Sequence, residues 1–305
     1  MPELPDLTLY LDAIERRTLG RTLLHVEIVS PFVLRSVDPP IAAAHGRRLT
    51  ALSPLGKRLV LGLEGELFLV IHLMIAGRLH WHEQAPRLNR RRTLAAFDFD
   101  SGTLSLTEAG TTRRASIHLV KGKSALTEFD RGGLEVMDST LREFAARLRL
   151  ENHTVRRALA DPRLFSGIGN AYSDEILHRA KLSPLLLTQK LSDEQARRLH
   201  AAVQSVLREW TKRLREEAGE AFPEKVTAFR EGFAIHGRFR LPCPVCGTSV
   251  QRIRYAENET NYCPTCQTGG KLLADRALSR LLRADWPRSL EEMDEKVRKV
   301  REVRG

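Results

Sequence analysis

Residues 243–266 run from Cys243-Pro244-Val245-Cys246-Gly247 to Cys263-Pro264-Thr265-Cys266, two Cys-Pro-X-Cys turns with sixteen residues between Cys246 and Cys263. Two thiolates three positions apart can hold one ion from a single tight turn. Two such turns complete the tetrahedral four-sulfur set that structural zinc prefers. All four cysteines of the chain fall in this stretch. The opening MPELPDLTLY lacks the basic and apolar stretches of a secretory signal, so metal ligands are expected here and not disulfides. With sulfur in every position no place is left for a reactive water, and the one zinc ion expected on Cys243, Cys246, Cys263 and Cys266 is structural. The intervening segment predicts a hairpin with its tip around Tyr255 to Asn261, a tip that in zinc ribbons commonly touches nucleic acid or protein.

Outward from this ribbon, taken as residues 236–270, the hydrophobic period changes. Residues 131–235 read as helices. Leu141, Phe144, Ala145 and Leu148 mark one face, with Thr140 and Glu143 as a capping box. A short helix from Thr154 to Ala160 stops at Asp161-Pro162, another starts at Asn170, and a long one starts at Ser192-Asp193-Glu194-Gln195. The long helix carries Leu199, Val203, Val206, Leu207, Trp210 and Leu214 on one stripe. Residues 1–130 read as one helix, starting at Pro5-Asp6, and then strands. His25 and Glu27 alternate with Leu24, Val26 and Ile28, which predicts a half-buried strand. Leu67 to Leu73 predicts a strand buried on both faces, and Phe97 to Leu106 predicts a hairpin turning at Ser101-Gly102. The fold class is α+β: a β-sandwich or barrel led by a helix, a helical domain, and the zinc ribbon. The charge-alternating extension 271–305 predicts a solvated helix.

Composition narrows the partner. The formal charge is +11, from 49 Lys and Arg against 38 Asp and Glu, and suits a polyanion. No apolar run reaches the ~18 residues of a membrane span. A cytoplasmic, nucleoid-associated monomer with no membrane partner is expected.

The N-terminus offers chemistry. Met1 precedes Pro2, a small residue, so its removal is expected and leaves a free secondary amine. An α-amino group titrates near pH 8, so a useful fraction is neutral at pH 7. Such an amine can attack C1′ of a deoxyribose, and at proline the resulting iminium is a fixed cation and an electron sink. Glu3 stands beside it as a carboxylate able to move protons to and from the sugar. Pro and Glu at a chain start are ordinarily a helix lead-in, so these residues need company.

The company is present. Pro2-Glu3-Leu4-Pro5-Asp6, Gly56-Lys57-Arg58-Leu59, His72-Leu73, Gly167-Ile168-Gly169-Asn170-Ala171-Tyr172 and the late four-cysteine ribbon occur in that order over roughly residues 2–270. Together they resemble the formamidopyrimidine-DNA glycosylase and endonuclease VIII family. The resemblance implies a β-sandwich followed by a helix–two-turns–helix domain with the zinc finger, gripping damaged double-stranded DNA in the cleft between them. It implies a bifunctional glycosylase and abasic-site lyase of base excision repair, acting on oxidised bases through a Schiff base on Pro2, with Glu3 as acid and base. It also implies that Lys57 contacts a phosphate near the lesion and that Asn170 holds phosphate at a helix start. His72 fits a DNA-facing position or an ordinary core histidine.

Departures concern lesion choice. An enzyme that swings a base out of the duplex fills the hole with side chains. Ile75 stands where formamidopyrimidine glycosylases carry a methionine wedge. Arg113-Arg114-Ala115 has alanine in place of their Arg-Arg-Phe aromatic. Asn258 aligns with the family's finger arginine and can meet a phosphate only without charge. Oxidised pyrimidines and abasic sites are therefore the expected substrates, ahead of 8-oxoguanine opposite cytosine. The competing reading is a zinc-containing nucleic-acid binder without catalysis, which has no need of Pro2, Glu3 and Lys57 together.

Overall fold

The computed structural model describes residues 1–109, 112–224, 226, 230–255, 258–274 and 285–304. Helix α1 (Leu4–Thr18) starts earlier than Pro5-Asp6 alone predicts. Glu3 caps it, and the Asp6 carboxylate in the first turn accepts the Glu3 backbone N–H at 2.8 Å. Pro5 is tolerated there because its missing N–H would have no helical partner anyway.

Eight strands follow: β1 (Thr22–Ile28), β2 (Arg47–Leu55), β3 (Arg58–Leu63), β4 (Leu67–His72), β5 (Gly77–His82), β6 (Thr93–Phe99), β7 (Gly102–Glu108) and β8 (Ser116–Lys121). They pair antiparallel in the order β5-β7-β6-β1-β2-β3-β4-β8. Pairing between β1 and β2 is confined to Thr22↔Arg48 and Leu23↔Arg47, and there the sheet folds over. Leu79, Phe97 and Leu106 of one wing share a single core with Leu61, Leu69 and Ile71 of the other, and with Leu7, Tyr10 and Ile14 of α1. The result is the helix-led sandwich.

Strand β4 is covered on both faces, as its apolar run predicts: Leu69 and Ile71 enter that core, while Val70 packs on the far side with Val60 and Phe129. Strand β1 departs from simple alternation. A register shift between Leu23 and His25 sends Leu23 inward and leaves Leu24 54% exposed, so only Val26 of the expected apolar face is buried. An extra residue in one strand flips the side chains beyond it to the other face. The β6–β7 hairpin turns at Asp100-Ser101, one residue early, because Phe99 pairs with Gly102. Gly102 is required at that spot, since a Cβ there would lie 2.5 Å from the Trp81 ring.

The helices are α2 (Leu141–Leu148), α3 (Val155–Ala160), α4 (Asn170–Arg179) and α5 (Asp193–Ala218). Thr140 and Glu143 form the expected capping box, Thr154 caps α3, and Ser192 with Gln195 does the same work before α5. The ribbon strands β9 (Gln251–Tyr255) and β10 (Asn258–Tyr262) pair antiparallel, and α6 (Pro264–Thr268) carries the last cysteine. Residues 256–257, at the expected hairpin tip, lie outside the described residues. The extension is helical as α7 (Leu290–Arg304), with residues 275–284 outside the described set. Its first residues are not solvated: Leu272 is buried, and the Leu273 N–H donates to the Tyr262 hydroxyl at 2.8 Å.

The chain divides into two compact units, residues 1–135 with 207–228 and residues 136–206 with 229–305. Phe222 and Val226 join the sandwich core, and Phe222 lies 5.9 Å from the Tyr10 ring with Arg17 over its face. Phe222→Ala is expected to destabilise the first unit by about 3 kcal/mol, through reduced burial and the cavity left behind. Denaturant unfolding of the purified variant measures this, and an unchanged midpoint would remove Phe222 from the core account.

Candidate functional site

In the first unit the start of the chain meets Lys57 and Arg78. Pro2 is buried, and Glu3 is only 4% exposed. Burial holds the Met1 amine below its ordinary value of 8.0. Glu3 and Asp6 oppose that drop, while Arg78 and Lys57 reinforce it. Burial likewise pushes the Lys57 ammonium down, with Glu3 as the charge that resists. The amine and the Glu3 carboxylate of the chain start therefore lie within electrostatic reach of Lys57, which is distant in sequence. His72, at the end of β4, is pushed down to about 4, first by burial and then by Arg58, Lys57 and His118. At neutral pH its ring is uncharged.

The turn after β4 is closely built. Met74 takes a φ of 52°, and the Gly77 N–H donates to the Leu73 carbonyl at 2.9 Å. A Cβ on Gly77 would lie 2.3 Å from that carbonyl oxygen, so only glycine closes the turn. The Arg78 guanidinium donates to the carbonyls of Ile75 at 3.1 Å and Gly77 at 2.7 Å. The turn leaves Ile75 61% exposed, an apolar side chain projecting from a pinned backbone.

Across the sheet, Gly77 pairs with Glu108, and Arg78 and Thr93 both pair with Thr107. The Ile75 turn and the ends of β6 and β7 thus share one edge of the sandwich. The Glu108 carboxylate, 2% exposed, accepts the backbone N–H groups of Arg114 at 2.9 Å and Ala115 at 3.0 Å. Arg113 and Arg114 are exposed, whereas the Ala115 methyl is buried in the sandwich core.

In the second unit Asn170 opens α4 directly after Gly169 and is exposed. Its side-chain N–H donates to the Asn258 Oδ1 at 3.2 Å, joining two predicted contact residues 88 positions apart. Two carboxylates one turn further along α4 set that geometry. Asp174, with no side-chain exposure, accepts from Arg156 Nε at 2.9 Å and from the Asn261 backbone N–H at 3.0 Å, and pairs with His236 Nδ1 at 2.9 Å. Glu175 accepts the backbone N–H groups of Ala234, Ile235 and His236 at 2.8, 2.8 and 2.9 Å. Burial raises the Glu175 pKa, and those three donors pull against it. Neither carboxylate is legible in the sequence, where Asp174-Glu175 reads like any acidic pair on a helix surface. Glu108 and Arg78 carried no sequence signal either.

The four cysteine sulfurs lie within 4.8 Å of one another, with Cys243–Cys266 at 4.0 Å and Cys246–Cys263 at 3.3 Å. A tetrahedron with sulfur at ~2.3 Å from zinc has edges of about 3.8 Å, so the set fits one ion. His178 Nε2 approaches the Cys243 sulfur at 3.3 Å, a partner able to orient that ligand.

Three family descriptions match along the chain: the formamidopyrimidine-DNA glycosylase N-terminal domain over residues 1–115, its H2TH domain over 134–217, and the zinc finger found in FPG and IleRS over 240–269. The chain belongs to the formamidopyrimidine-DNA glycosylase and endonuclease VIII family. Among its relatives, the formamidopyrimidine-DNA glycosylase of Thermus thermophilus is 34% identical over 280 residues, 88% of this chain and 100% of that one. That of Heliobacterium modesticaldum is 31% identical over 281 residues, again 88% and 100%. The crystal structure of the MutM (Fpg) protein from Thermus thermophilus superposes with a TM-score of 0.73 at 31% identity, covering 87% of this chain and 98% of that one. The zinc-finger match and the sulfur geometry agree on one structural zinc ion.

Because the sulfurs fill every ligand position, removing the metal should unfold the ribbon and weaken DNA affinity by orders of magnitude while the sandwich stays folded. Chelation and Cys263→Ser test this by circular dichroism and DNA titration. Elemental analysis of purified protein finding no zinc would overturn it.

Proposed function

We propose that this protein is a monomeric, bifunctional DNA glycosylase and abasic-site lyase of base excision repair. It acts on damaged duplex DNA, in the cytoplasm at the nucleoid. The observation that carries the reading is the buried chain start, where Pro2 and Glu3 are enclosed and Arg78, Asp6 and Lys57 lie within electrostatic reach. With Met1 removed, the amine is that of Pro2. It attacks C1′ of the damaged nucleotide, the bond to the base breaks, and the base leaves with a proton. Glu3 moves that proton and those of the ring-opened sugar. The iminium then draws electrons from the neighbouring C2′ position as a proton is lost there, and the 3′ phosphate departs. A neutral amine at neutral pH is what this step needs, and burial favours the neutral form.

Lys57 serves as a phosphate or lesion-proximal cation beside Glu3. Asn170 and Asn258, already hydrogen-bonded to each other, supply uncharged donors to the backbone. His72, neutral and half-buried, acts through hydrogen bonding and not charge. The zinc ion supplies structure alone: Cys243, Cys246, Cys263 and Cys266 hold it, and no catalytic step passes through it. No helix among the described residues is long and apolar enough to cross a membrane.

Borohydride treatment with an abasic-site oligonucleotide should trap a covalent complex. Protein bearing an uncleaved N-terminal extension should bind the same DNA and give neither trapping nor cutting. Glu3→Gln should bind and fail to release the base. Undiminished trapping by the blocked form would sink Pro2 as the nucleophile.

Lesion preference follows from the wedge. Ala115 is turned into the core and Ile75 is the exposed apolar side chain on the Gly77 turn, so stacking on the orphaned base is weak. Base–aromatic stacking is worth ~1–3 kcal/mol, and its absence should slow a well-paired lesion about ten-fold or more. Single-turnover rates should rank an abasic site and an oxidised pyrimidine above 8-oxoguanine opposite cytosine. The reverse order would show that Arg113 and Arg114 replace the missing ring.

A further inference from the structure

The loop between β5 and β6 reads Pro86-Arg87-Leu88-Asn89-Arg90-Arg91-Arg92. Its backbone is organised: the Asn89 side chain accepts the Arg91 N–H at 3.0 Å, and the Asn89 carbonyl accepts the N–H groups of Arg92 at 2.9 Å and Thr93 at 2.8 Å. A polar turn of this kind fixes where the following side chains emerge. The loop is also tied to its neighbour. The Glu108 N–H donates to the Arg92 carbonyl at 2.9 Å, and the Arg113 guanidinium donates to the Arg91 carbonyl. Glu108 in turn holds the backbone of Arg114 and Ala115.

Six arginines therefore stand on two cross-linked loops: Arg87, Arg90, Arg91, Arg92, Arg113 and Arg114, all exposed. The one other acid on these stretches, Glu83, stands seven residues or more from the Arg90–Arg92 run, and Glu108 is buried and committed to backbone. Among the described residues, none of Arg87, Arg90, Arg91 and Arg92 has a carboxylate partner within ion-pair distance. Guanidinium groups stay charged at any physiological pH, so the cluster repels itself until a polyanion neutralises it. Thr93, next in sequence, pairs with the same Thr107 as Arg78, the arginine whose charge reaches the N-terminal amine. The loop thus lies along the same edge of the sandwich as the Ile75 turn.

We propose that the 87–92 loop is a phosphate-tracking surface for duplex DNA flanking the lesion, extending the footprint beyond the candidate residues at the chain start, Lys57 and the Ile75 turn. It rests on the glycosylase reading for the lesion but not for the charge. Arginine suits this task because its planar fork can meet phosphate oxygens in pairs.

The experiment is a salt titration by fluorescence anisotropy, on an abasic-site duplex extending a full helical turn past the lesion on both sides. Replacing Arg90, Arg91 and Arg92 together by alanine should lower the slope of log K against log salt by about 0.9 for each phosphate no longer neutralised, a total of about two to three. The same three residues changed to lysine should keep most of the slope. Hydroxyl-radical footprints should shorten on one flank in the alanine variant. Thermal melting checks the fold, and the Arg87→Ala, Arg90→Ala pair is used if the triple variant melts early. An unchanged slope and footprint, or a weakening confined to single-stranded RNA, overturns the proposal. Failure of borohydride trapping in the unaltered protein would count against the glycosylase reading and leave the slope comparison intact.

Discussion

The second unit depends on a carboxylate with no access to solvent. Asp174 lies inside helix α4 and is met by the Arg156 guanidinium, the His236 ring and the backbone of Asn261. An ionised carboxylate buried without partners would cost many kcal/mol, and partners on three different segments turn that cost into a constraint on all three. Arg156 extends the link by donating to the Glu259 carbonyl at 2.8 Å, and the Asn261 side chain accepts the Gly237 N–H at 2.8 Å. Helix α4, the 234–237 segment and the ribbon strand β10 are thereby held in one arrangement. The Asn170–Asn258 hydrogen bond is a consequence of it. Removing Asp174 alone would deprive the largely buried Arg156 of its counter-charge, so the network has to be complete or absent.

Burial acts differently at the chain start. There it acts on charge and not position, because it disfavours the charged form of the amine and of Lys57 at once. The Lys57 and Arg78 charges lower the amine further, Glu3 and Asp6 limit that fall, and Glu3 alone limits the fall at Lys57. The capping role of Asp6 at the Glu3 N–H fixes the helix start, and with it the direction in which the first residues leave the sandwich. A structural device for starting α1 and a chemical device for tuning an amine are the same few residues.

The candidate contact residues Ile75, Arg113 and Arg114 fall on one edge of the sandwich, and Asn258 falls on the ribbon. Ile75 rides on a turn closed by Gly77 and locked by Arg78, so its exposure is imposed by the backbone. Ala115 is small enough to enter the core behind loops held by Glu108. Asn258 accepts a hydrogen bond from the Asn170 side chain. Beside these loops, charge is concentrated in the exposed arginines of the 87–92 stretch.

Local signals in the chain determined much of this. Two Cys-Pro-X-Cys turns can close on little else than a metal, and the β4 run, the Thr140 and Thr154 caps and the α5 stripe each express a short-range rule that tertiary packing did not override. Pro2, Glu3 and Lys57 were legible as candidates only through the resemblance carried by the ordered motifs around them, since each alone reads as a helix lead-in or a surface lysine. Tertiary structure decided what depends on partners distant in sequence. The bulge that exposes Leu24, the return of residues 207–228 to the first unit and the burial of Ala115 all follow from long-range packing. Asp174, Glu175 and Glu108 are acids that sequence assigns to the surface, since a carboxylate is buried only where donors from elsewhere converge on it. A periodic pattern records which face of an element is apolar, but not which donors will arrive to meet a charge.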